Sequence, residues 1–167
     1  MLKKFQQEQF ELGGKAVQAV TSTQLLRSVQ QLKRYYARCF SGLLERTGLS
    51  MREMDVVLFL TNNPSFDTAR DVTELRGLAK SQVSAAVEVL VKRGLLRRTA
   101  DLLDRRVVRL GLTEAGAALG QQARAVQSAC VESLFSGLTA AEAAQFQALL
   151  EKVLSGAQTQ LEEGTDT

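Results

Sequence analysis

Residues 95–116 have the sequence LLRRTADLLDRRVVRLGLTEAG, which decides the fold of this chain. Apolar side chains alternate with other residues toward the end of this stretch, whereas the chain on both sides of it follows a helical spacing. Alternation is typical of short β-strands, so we expect strands over residues 95–100 and 107–112. Residues 101–106 lie between them and carry two adjacent arginines. The sequence therefore predicts a small hairpin with a basic tip.

Two short helices are predicted before this hairpin. Thr68 and Asp71 have the spacing of a capping box, which indicates a helix that ends by Gly77. A second helix is expected over residues 80–93, with Gly94 as its C-cap. Two short helices with a tight turn between them, followed by a hairpin, form a winged helix-turn-helix.

Longer helices are predicted on either side of this motif. Apolar residues three and four apart indicate a first helix over residues 22–46, on the order of 37 Å long. A helix of that length is too long for so small a domain to cover, so part of its apolar stripe is expected to meet another chain. The predicted fold is mainly α with a small β hairpin, in one domain. Residues 1–20 form an N-terminal arm or short helix, residues 50–112 the winged lobe, and residues 113–161 two further helices.

The composition excludes several classes of protein. The 167 residues include no histidine and only two cysteines, Cys39 and Cys130, outside any CxxC pattern. Histidine-ligated zinc and Ser-His-Asp or Cys-His catalysis are therefore excluded, and we expect no metal, cofactor or catalytic residue. No phosphate-binding glycine loop is found, so an enzyme is not expected. No apolar run approaches the roughly 20 residues of a membrane span, and no signal peptide is recognised, so we expect a cytoplasmic protein.

Basic charge is concentrated in the winged segment. Residues 68–113 contain ten Lys and Arg against five Asp and Glu, a net charge of +5, whereas the whole chain has +3 and its remainder therefore −2. Such a concentration is expected of a surface that displaces phosphate counterions. The second helix of the motif fits the major groove, which is about 12 Å wide, and presents the residues near its start to base edges. These residues are Lys80, Ser81, Gln82, Ser84 and Ala85.

Several motifs resemble the MarR family of bacterial transcriptional regulators. They are Lys80-Ser-Gln-Val-Ser84, Leu90-x-x-x-Gly94-Leu95, and above all Asp104-Arg-Arg106 followed at matched spacing by Leu112-Thr-Glu-Ala-Gly116. The resemblance covers most of the chain, from residue 22 to residue 160. Its most specific part is the combination of the last two motifs.

The resemblance implies a homodimer that binds a pseudo-palindromic operator in double-stranded DNA, with dimerisation helices at residues 22–46 and 113–161. Arg106 resembles the wing arginine that enters the minor groove, and Asp104 resembles the partner that orients it. Arg105 belongs to the same tip. The implied function is a repressor of a nearby operon that a small ligand or a redox signal relieves.

The chain departs from the family pattern in its helix-turn-helix. Ala79 stands where the family often has a serine that caps the recognition helix, which predicts a weaker cap. Ala85 stands where an arginine is common, so one DNA contact of the family has no counterpart. Thr73 replaces a small alanine, and Leu75-Arg76 stand in exchanged order. These departures affect the operator sequence and not the fold.

Other interpretations of the same residues stay open. The arginine tip is also compatible with a solvated hairpin end, and the start of the recognition helix with an ordinary exposed helix. Arg97 and Arg98 either contact phosphate or deter edge-strand pairing. Tyr35, Tyr36 and Cys39 either contact a small-molecule effector or pack in the core or a dimer interface. The alternative for the whole chain is a winged-helix module that binds protein without binding DNA.

Overall fold

The computed structural model describes residues 9–12, 15–18 and 21–163. It confirms a mainly α fold with a small hairpin, arranged as a winged helix-turn-helix between long helices. The elements in chain order are β1 (Gln9–Leu12), β2 (Lys15–Gln18), α1 (Ser22–Thr47), α2 (Met51–Asn62), α3 (Ala69–Arg76), α4 (Lys80–Lys92), β3 (Leu96–Ala100), β4 (Val108–Leu112), α5 (Glu114–Phe135) and α6 (Ala140–Glu163).

The chain divides into two compact units, residues 1–124 and 125–167, with the boundary inside α5. The first unit contains the winged helix-turn-helix, and the second contains the end of α5 together with α6. Among the helices of the described residues, none combines the length and the hydropathy of a membrane-crossing segment. The organisation of the chain as one domain stays a prediction.

Local side-chain caps set the starts of the helices around the motif. The backbone N–H of Ser50 donates to the Glu53 carboxylate at 2.6 Å, and the Glu53 N–H donates back to the Ser50 hydroxyl. Thr68 and Asp71 form the same reciprocal pair at the start of α3. The sequence predicts both starts, since Ser50 with Glu53 and Thr68 with Asp71 each have the spacing of a capping box. Ala79 offers α4 no side-chain cap, which confirms the expected weaker cap at that helix.

Two glycines shape the ends of the motif helices. Gly77 caps α3 with φ 64° and makes the tight turn into α4. The C-cap of α4 is Arg93, one residue before the predicted Gly94, which follows with φ 68°. A side chain with a Cβ is disfavoured at such angles, so both positions favour glycine. The strands β3 and β4 each begin one residue later than predicted.

The N-terminal segment differs from one of its two predictions. Residues 9–12 and 15–18 form an antiparallel pair, β1 with β2, in which Gln9 lies opposite Gln18. The alternative of a short helix is therefore wrong for these residues. The rest of the predicted arm, residues 1–8, 13–14 and 19–20, lies outside the described residues.

Apolar side chains of α2 and α4 make up more than half of the buried core residues of the first unit. The helical spacing of the apolar residues in α4 predicts that Val83, Ala86, Val87, Leu90 and Val91 face inward, and all are buried except Val91, which is half-buried. Each fully buried aliphatic side chain contributes about 1.5–3 kcal/mol relative to exposure, so this core holds the recognition helix in place. The buried residues of these two helices are Met54, Val56, Val57, Leu58, Phe59, Leu60, Val83, Ala86, Val87 and Leu90.

An ion pair also fixes α3 against α2. The Arg76 guanidinium donates to the Asp55 carboxylate at 2.9 Å. Burial raises the pKa of Asp55, and the charge of Arg76 opposes that shift. Leu75 is exposed. The exchanged order Leu75-Arg76 therefore places the arginine toward α2, where it has a carboxylate partner.

The Leu-Thr-x-x-Gly motif fastens α5 to the turn after α4. The Thr113 hydroxyl donates to the Gly94 carbonyl at 2.7 Å and accepts from the Gly116 N–H at 3.1 Å. A Cβ placed on Gly116 would overlap the carbonyl oxygen of Leu95. The motif is therefore a packing device, since only glycine lets the two backbones approach this closely.

We predict that Gly116→Ala lowers the free energy of unfolding by about 1–3 kcal/mol, because the backbone of Leu95 must move to admit the methyl group. Gly42→Ala is the matched control within a helix, since its Cβ meets only an ordinary contact with Arg46. That variant should be neutral or slightly stabilising. Urea unfolding followed by circular dichroism measures both, and equal stabilities of the two variants would contradict the packing role of Gly116.

Candidate nucleic-acid interface

The predicted reading residues lie on the outward face of α4, the recognition helix. The opposite face, which carries Val83, Val87 and Leu90, is buried. Gln82 is half-buried, and the other four reading residues are exposed. This arrangement leaves their polar groups available to a ligand that lies along the helix. The four exposed residues are Lys80, Ser81, Ser84 and Ala85.

Two open grooves run along the flanks of α4. The first, of about 280 Å³, lies between α4 and the start of α2, and Ser81, Gln82 and Ala85 line it together with Arg52. The second, of about 240 Å³, lies between α4 and α3, and its lining includes Lys80, Ser84 and Arg70. Each groove therefore combines reading residues with an arginine from a neighbouring helix. Sequence reasoning missed Arg52, because it lies outside the segment in which basic charge is concentrated.

The hairpin β3–β4 with its tip at residues 101–106, named the wing below, pairs Leu96 with Leu112 and Ala100 with Val108. Asp101 organises the tip. Its carboxylate accepts the backbone N–H groups of Leu103 and Asp104, both at 2.9 Å. These hydrogen bonds, and a further one from Arg109, lower the pKa of Asp101. The carboxylate is therefore charged at neutral pH and holds the turn in one conformation.

Arg109 ties the wing to the start of α3. Its Nε donates to Asp101 at 2.8 Å, and its Nη1 donates to Asp67 at 2.7 Å. The backbone of Asp67 also accepts from the Leu110 N–H. These contacts fix the wing relative to the helix-turn-helix. Sequence reasoning counted Arg109 only as a basic residue and missed Asp67, although an arginine inside an alternating apolar strand could have drawn attention to that position.

The side chains of Asp104 and Arg106 do not pair directly. The Asp104 carboxylate accepts from the backbone N–H of Arg106 at 2.9 Å. Asp104 thus fixes the backbone from which the arginine projects. The guanidinium groups of Arg105 and Arg106 are exposed and, within the described part of the chain, take part in no ion pair.

Ion pairs and hydrogen bonds separate the basic residues of the winged segment into three groups. Arg70, Arg76, Lys92, Arg98 and Arg109 pair with carboxylates. Arg93 instead donates to the backbone carbonyls of Thr47 and Gly48. The remaining four, named the unpaired basic residues below, have no ion pair or side-chain hydrogen bond among residues 21–163. They are Lys80, Arg97, Arg105 and Arg106.

The two candidate phosphate contacts on β3 therefore differ. Arg98 donates to Glu88 at 3.0 Å and links the wing to α4. The Arg97 side chain lies over Gly111, where an added Cβ would come within 3.0 Å of its Nε. Of these two arginines, Arg97 is the one without an ion pair among residues 21–163, so it is the better candidate for a phosphate contact.

The candidate effector residues lie on α1. Tyr35, Tyr36 and Cys39 are half-buried, and the ring of Tyr36 packs at 4.9 Å from that of Phe40. Cys130 is buried. A cavity of about 450 Å³ lies between the end of α1 and the start of α5, and none of these candidates lines it. Its lining residues are Thr47, Leu49, Arg93, Leu95, Ala115, Ala118, Leu119 and Gln122.

Comparison with known proteins identifies relatives of this fold. The model of the MarR family matches residues 47–107. The MepR–DNA complex from S. aureus superposes with a TM-score of 0.68 at 22% identity and covers 83% of this chain and 97% of MepR. A MarR transcriptional regulator from Methanosarcina mazei Go1 has a TM-score of 0.70 at 21% identity, covering 81% and 96% respectively. CouR from Rhodococcus jostii RHA1, bound to p-coumaroyl-CoA, has a TM-score of 0.63 at 28% identity. The match covers 77% of this chain and 87% of CouR. The curated proteins yield no match.

We predict that the order of the wing depends on pH through Asp101. Its pKa is lowered from an ordinary value of 3.8 in the folded protein, so the unfolded chain binds the proton more readily. The stabilisation is therefore complete above 3.8 and is lost as the pH falls through the lowered pKa. Amide hydrogen exchange of Leu103 and Asp104, measured against pH, should show this loss. In Asp101→Asn the same amides should exchange faster at neutral pH, and unchanged exchange would contradict the assignment.

Proposed function

We propose that the chain is a member of the MarR family, whose model matches residues 47–107, and that it acts as a homodimeric, sequence-specific DNA-binding transcriptional regulator. One observation carries the proposal. The unpaired basic residues lie on the recognition helix, on β3 and at the wing tip, whereas the other basic residues of the segment are held by carboxylates or carbonyls. A surface with unpaired cations is suited to bind the phosphates of DNA. The cations neutralise the phosphate charge and release the counterions that balance it in free DNA.

The recognition helix α4 enters the major groove in this proposal. Lys80 contacts phosphate from the start of the helix, and Ser81, Gln82 and Ser84 reach base edges or backbone by hydrogen bonds. Ala85 contributes apolar contact, such as with a thymine methyl group. MepR, whose crystal structure is that of a complex with DNA, has a similar fold, which supports DNA as the ligand in this proposal.

The wing enters the adjacent minor groove in this proposal. Arg106 is the inserted side chain, Asp104 holds its backbone, and Arg105 contacts the flanking phosphates. Arg97 reaches phosphate from the side of the wing. Because the minor groove presents a degenerate pattern of acceptors, these contacts supply more affinity than sequence discrimination.

Dimerisation uses the long helices at residues 22–46 and 113–161 in this proposal. On α1, Leu25 is 54% exposed and Leu26 is 66% exposed. On α6, Leu154 is 58% exposed and Val153 is 63% exposed. Apolar side chains exposed along a helix are typical of surfaces that bind a partner chain. A second copy provides the same helices and gives a closed two-fold interface.

A small-molecule effector controls DNA binding in this proposal. It binds best to a dimer in which the two winged lobes are spaced differently from successive major grooves, and it lowers DNA affinity by that preference. Tyr35, Tyr36 and Cys39 are the proposed contacts. CouR bound to p-coumaroyl-CoA shows that a protein of this fold takes an organic ligand. A redox signal is less favoured, since Cys130 is buried and Cys39 is half-buried. We propose that the protein represses a nearby operon.

We predict that Arg106→Ala weakens DNA binding by about 10-fold and reduces the slope of log affinity against log salt by about 1, because one counterion fewer is released. Gln82→Ala should leave the slope unchanged and relax the preference at one base pair. Fluorescence anisotropy at several salt concentrations measures both. The control is Arg124→Ala, an exposed arginine of α5 outside the winged segment. Equal slopes for all three variants would contradict the proposed wing contact.

We predict that Leu26→Glu converts the dimer into a monomer at micromolar concentration, because the carboxylate would be buried in the proposed interface. Gln31→Glu is the control, since it adds the same side chain to α1 on the side away from the apolar stripe. Sedimentation velocity measures both variants, and circular dichroism verifies that they keep their helices. A dimer of unchanged stability in Leu26→Glu would place the interface elsewhere.

A further inference from the structure

The most exposed large apolar side chains of the described chain stand next to each other at the wing tip. Leu102 is 98% exposed and Leu103 is 99% exposed. Single exposed leucines are ordinary on protein surfaces, but an adjacent pair that no neighbour covers leaves a concentrated apolar surface in water. It lies at the end of the hairpin, two to four residues from the tip arginines.

The backbone that carries this pair is fixed before any ligand arrives. The Leu103 N–H donates to the Asp101 carboxylate, which also receives Arg109. Arg109 in turn pairs with Asp67 at the start of α3. The leucines are therefore presented on an ordered turn, so little backbone entropy is lost when they become buried.

The charges around the pair indicate what it contacts. Both carboxylates of the tip accept backbone N–H groups, Asp101 from Leu103 and Asp104 from Arg106. The arginines at 105 and 106 project without an acidic partner among the described residues. The pair of leucines beside two unpaired guanidinium groups matches the minor groove of DNA. The phosphates along the groove attract the guanidinium groups, and the C–H faces of deoxyribose in its walls offer apolar contact to the leucines. Leucine is among the apolar residues that proteins insert there.

We propose that Leu102 and Leu103 form an apolar contact with the minor groove of bound DNA and supply affinity that does not depend on salt. This inference rests on the proposed function, since it needs the wing to reach DNA. It assigns the tip two kinds of contact, in which the arginines provide the electrostatic share and the leucines the apolar share.

The test compares DNA binding by the double variant Leu102→Ser, Leu103→Ser with that of the unaltered protein. The probe is a labelled duplex enriched from a random library by the unaltered protein. We expect an affinity loss of about 10-fold or more at every salt concentration, with the salt slope unchanged, because apolar burial releases no counterions. The double variant Leu102→Met, Leu103→Met keeps the apolar area and should bind within about 3-fold of the unaltered protein.

Leu75→Ser is the matched control, because it removes a leucine that is 57% exposed in the same unit but outside the wing. Its affinity should stay close to that of the unaltered protein. Since both wing leucines are solvated in the free chain, the thermal midpoints of the two wing variants should be unchanged.

The possible outcomes separate this inference from the proposed function. If the unaltered protein enriches no duplex, the proposed function fails. If it binds DNA and the serine double variant binds equally well, only the minor-groove contact is overturned, and a protein partner becomes the occupant to examine. A serine variant that loses affinity through a smaller salt slope would also overturn the inference, since the leucines would then act by positioning the arginines.

Discussion

Arg109, held between Asp67 and Asp101, is the interaction on which the geometry of the DNA-binding surface depends. It joins the tip of the wing to Asp67, two residues before α3, so the wing and the helix-turn-helix form one body. Its contribution to stability is small, because partly exposed ion pairs are worth about 1 kcal/mol or less. Its importance lies in orientation. Two charge-assisted hydrogen bonds from one planar guanidinium leave the wing little freedom to swing.

The same network decides which charges remain for a ligand. Half of the ten basic residues in the winged segment are paired with carboxylates, and Arg93 is held by carbonyls at the end of α1. The net charge of the segment therefore overstates the number of phosphate contacts. The unpaired basic residues are concentrated at the start of the recognition helix and on the wing. The positions of these residues are therefore more informative than the net charge of the segment.

The sequence predicted those features that local chemistry determines. The capping boxes at Ser50 and Thr68, the turn at Gly77 and the alternation before Thr113 are each visible within a few residues, and the helix and strand boundaries follow within one or two positions. The pairing of Arg109 with Asp67, 42 residues away, could not be predicted, because it depends on how the hairpin packs. The β1–β2 pair was missed, since each strand has only four residues, which are too few for alternation to identify a strand. The reading residues were predicted from the helix position alone, and their use stays a prediction.

The central claim is that two copies of this chain hold their recognition helices one turn of B-form DNA apart. Pulsed electron paramagnetic resonance tests it most directly, with a spin label on Ser84→Cys and with Cys39 and Cys130 replaced by serine. The account predicts a dipolar coupling between the two labels in the free dimer, where a label at Ser84 meets no DNA, with a distribution of separations that includes the roughly 34–36 Å between successive major grooves. The absence of coupling, or a separation that one helical turn cannot accommodate, would contradict it.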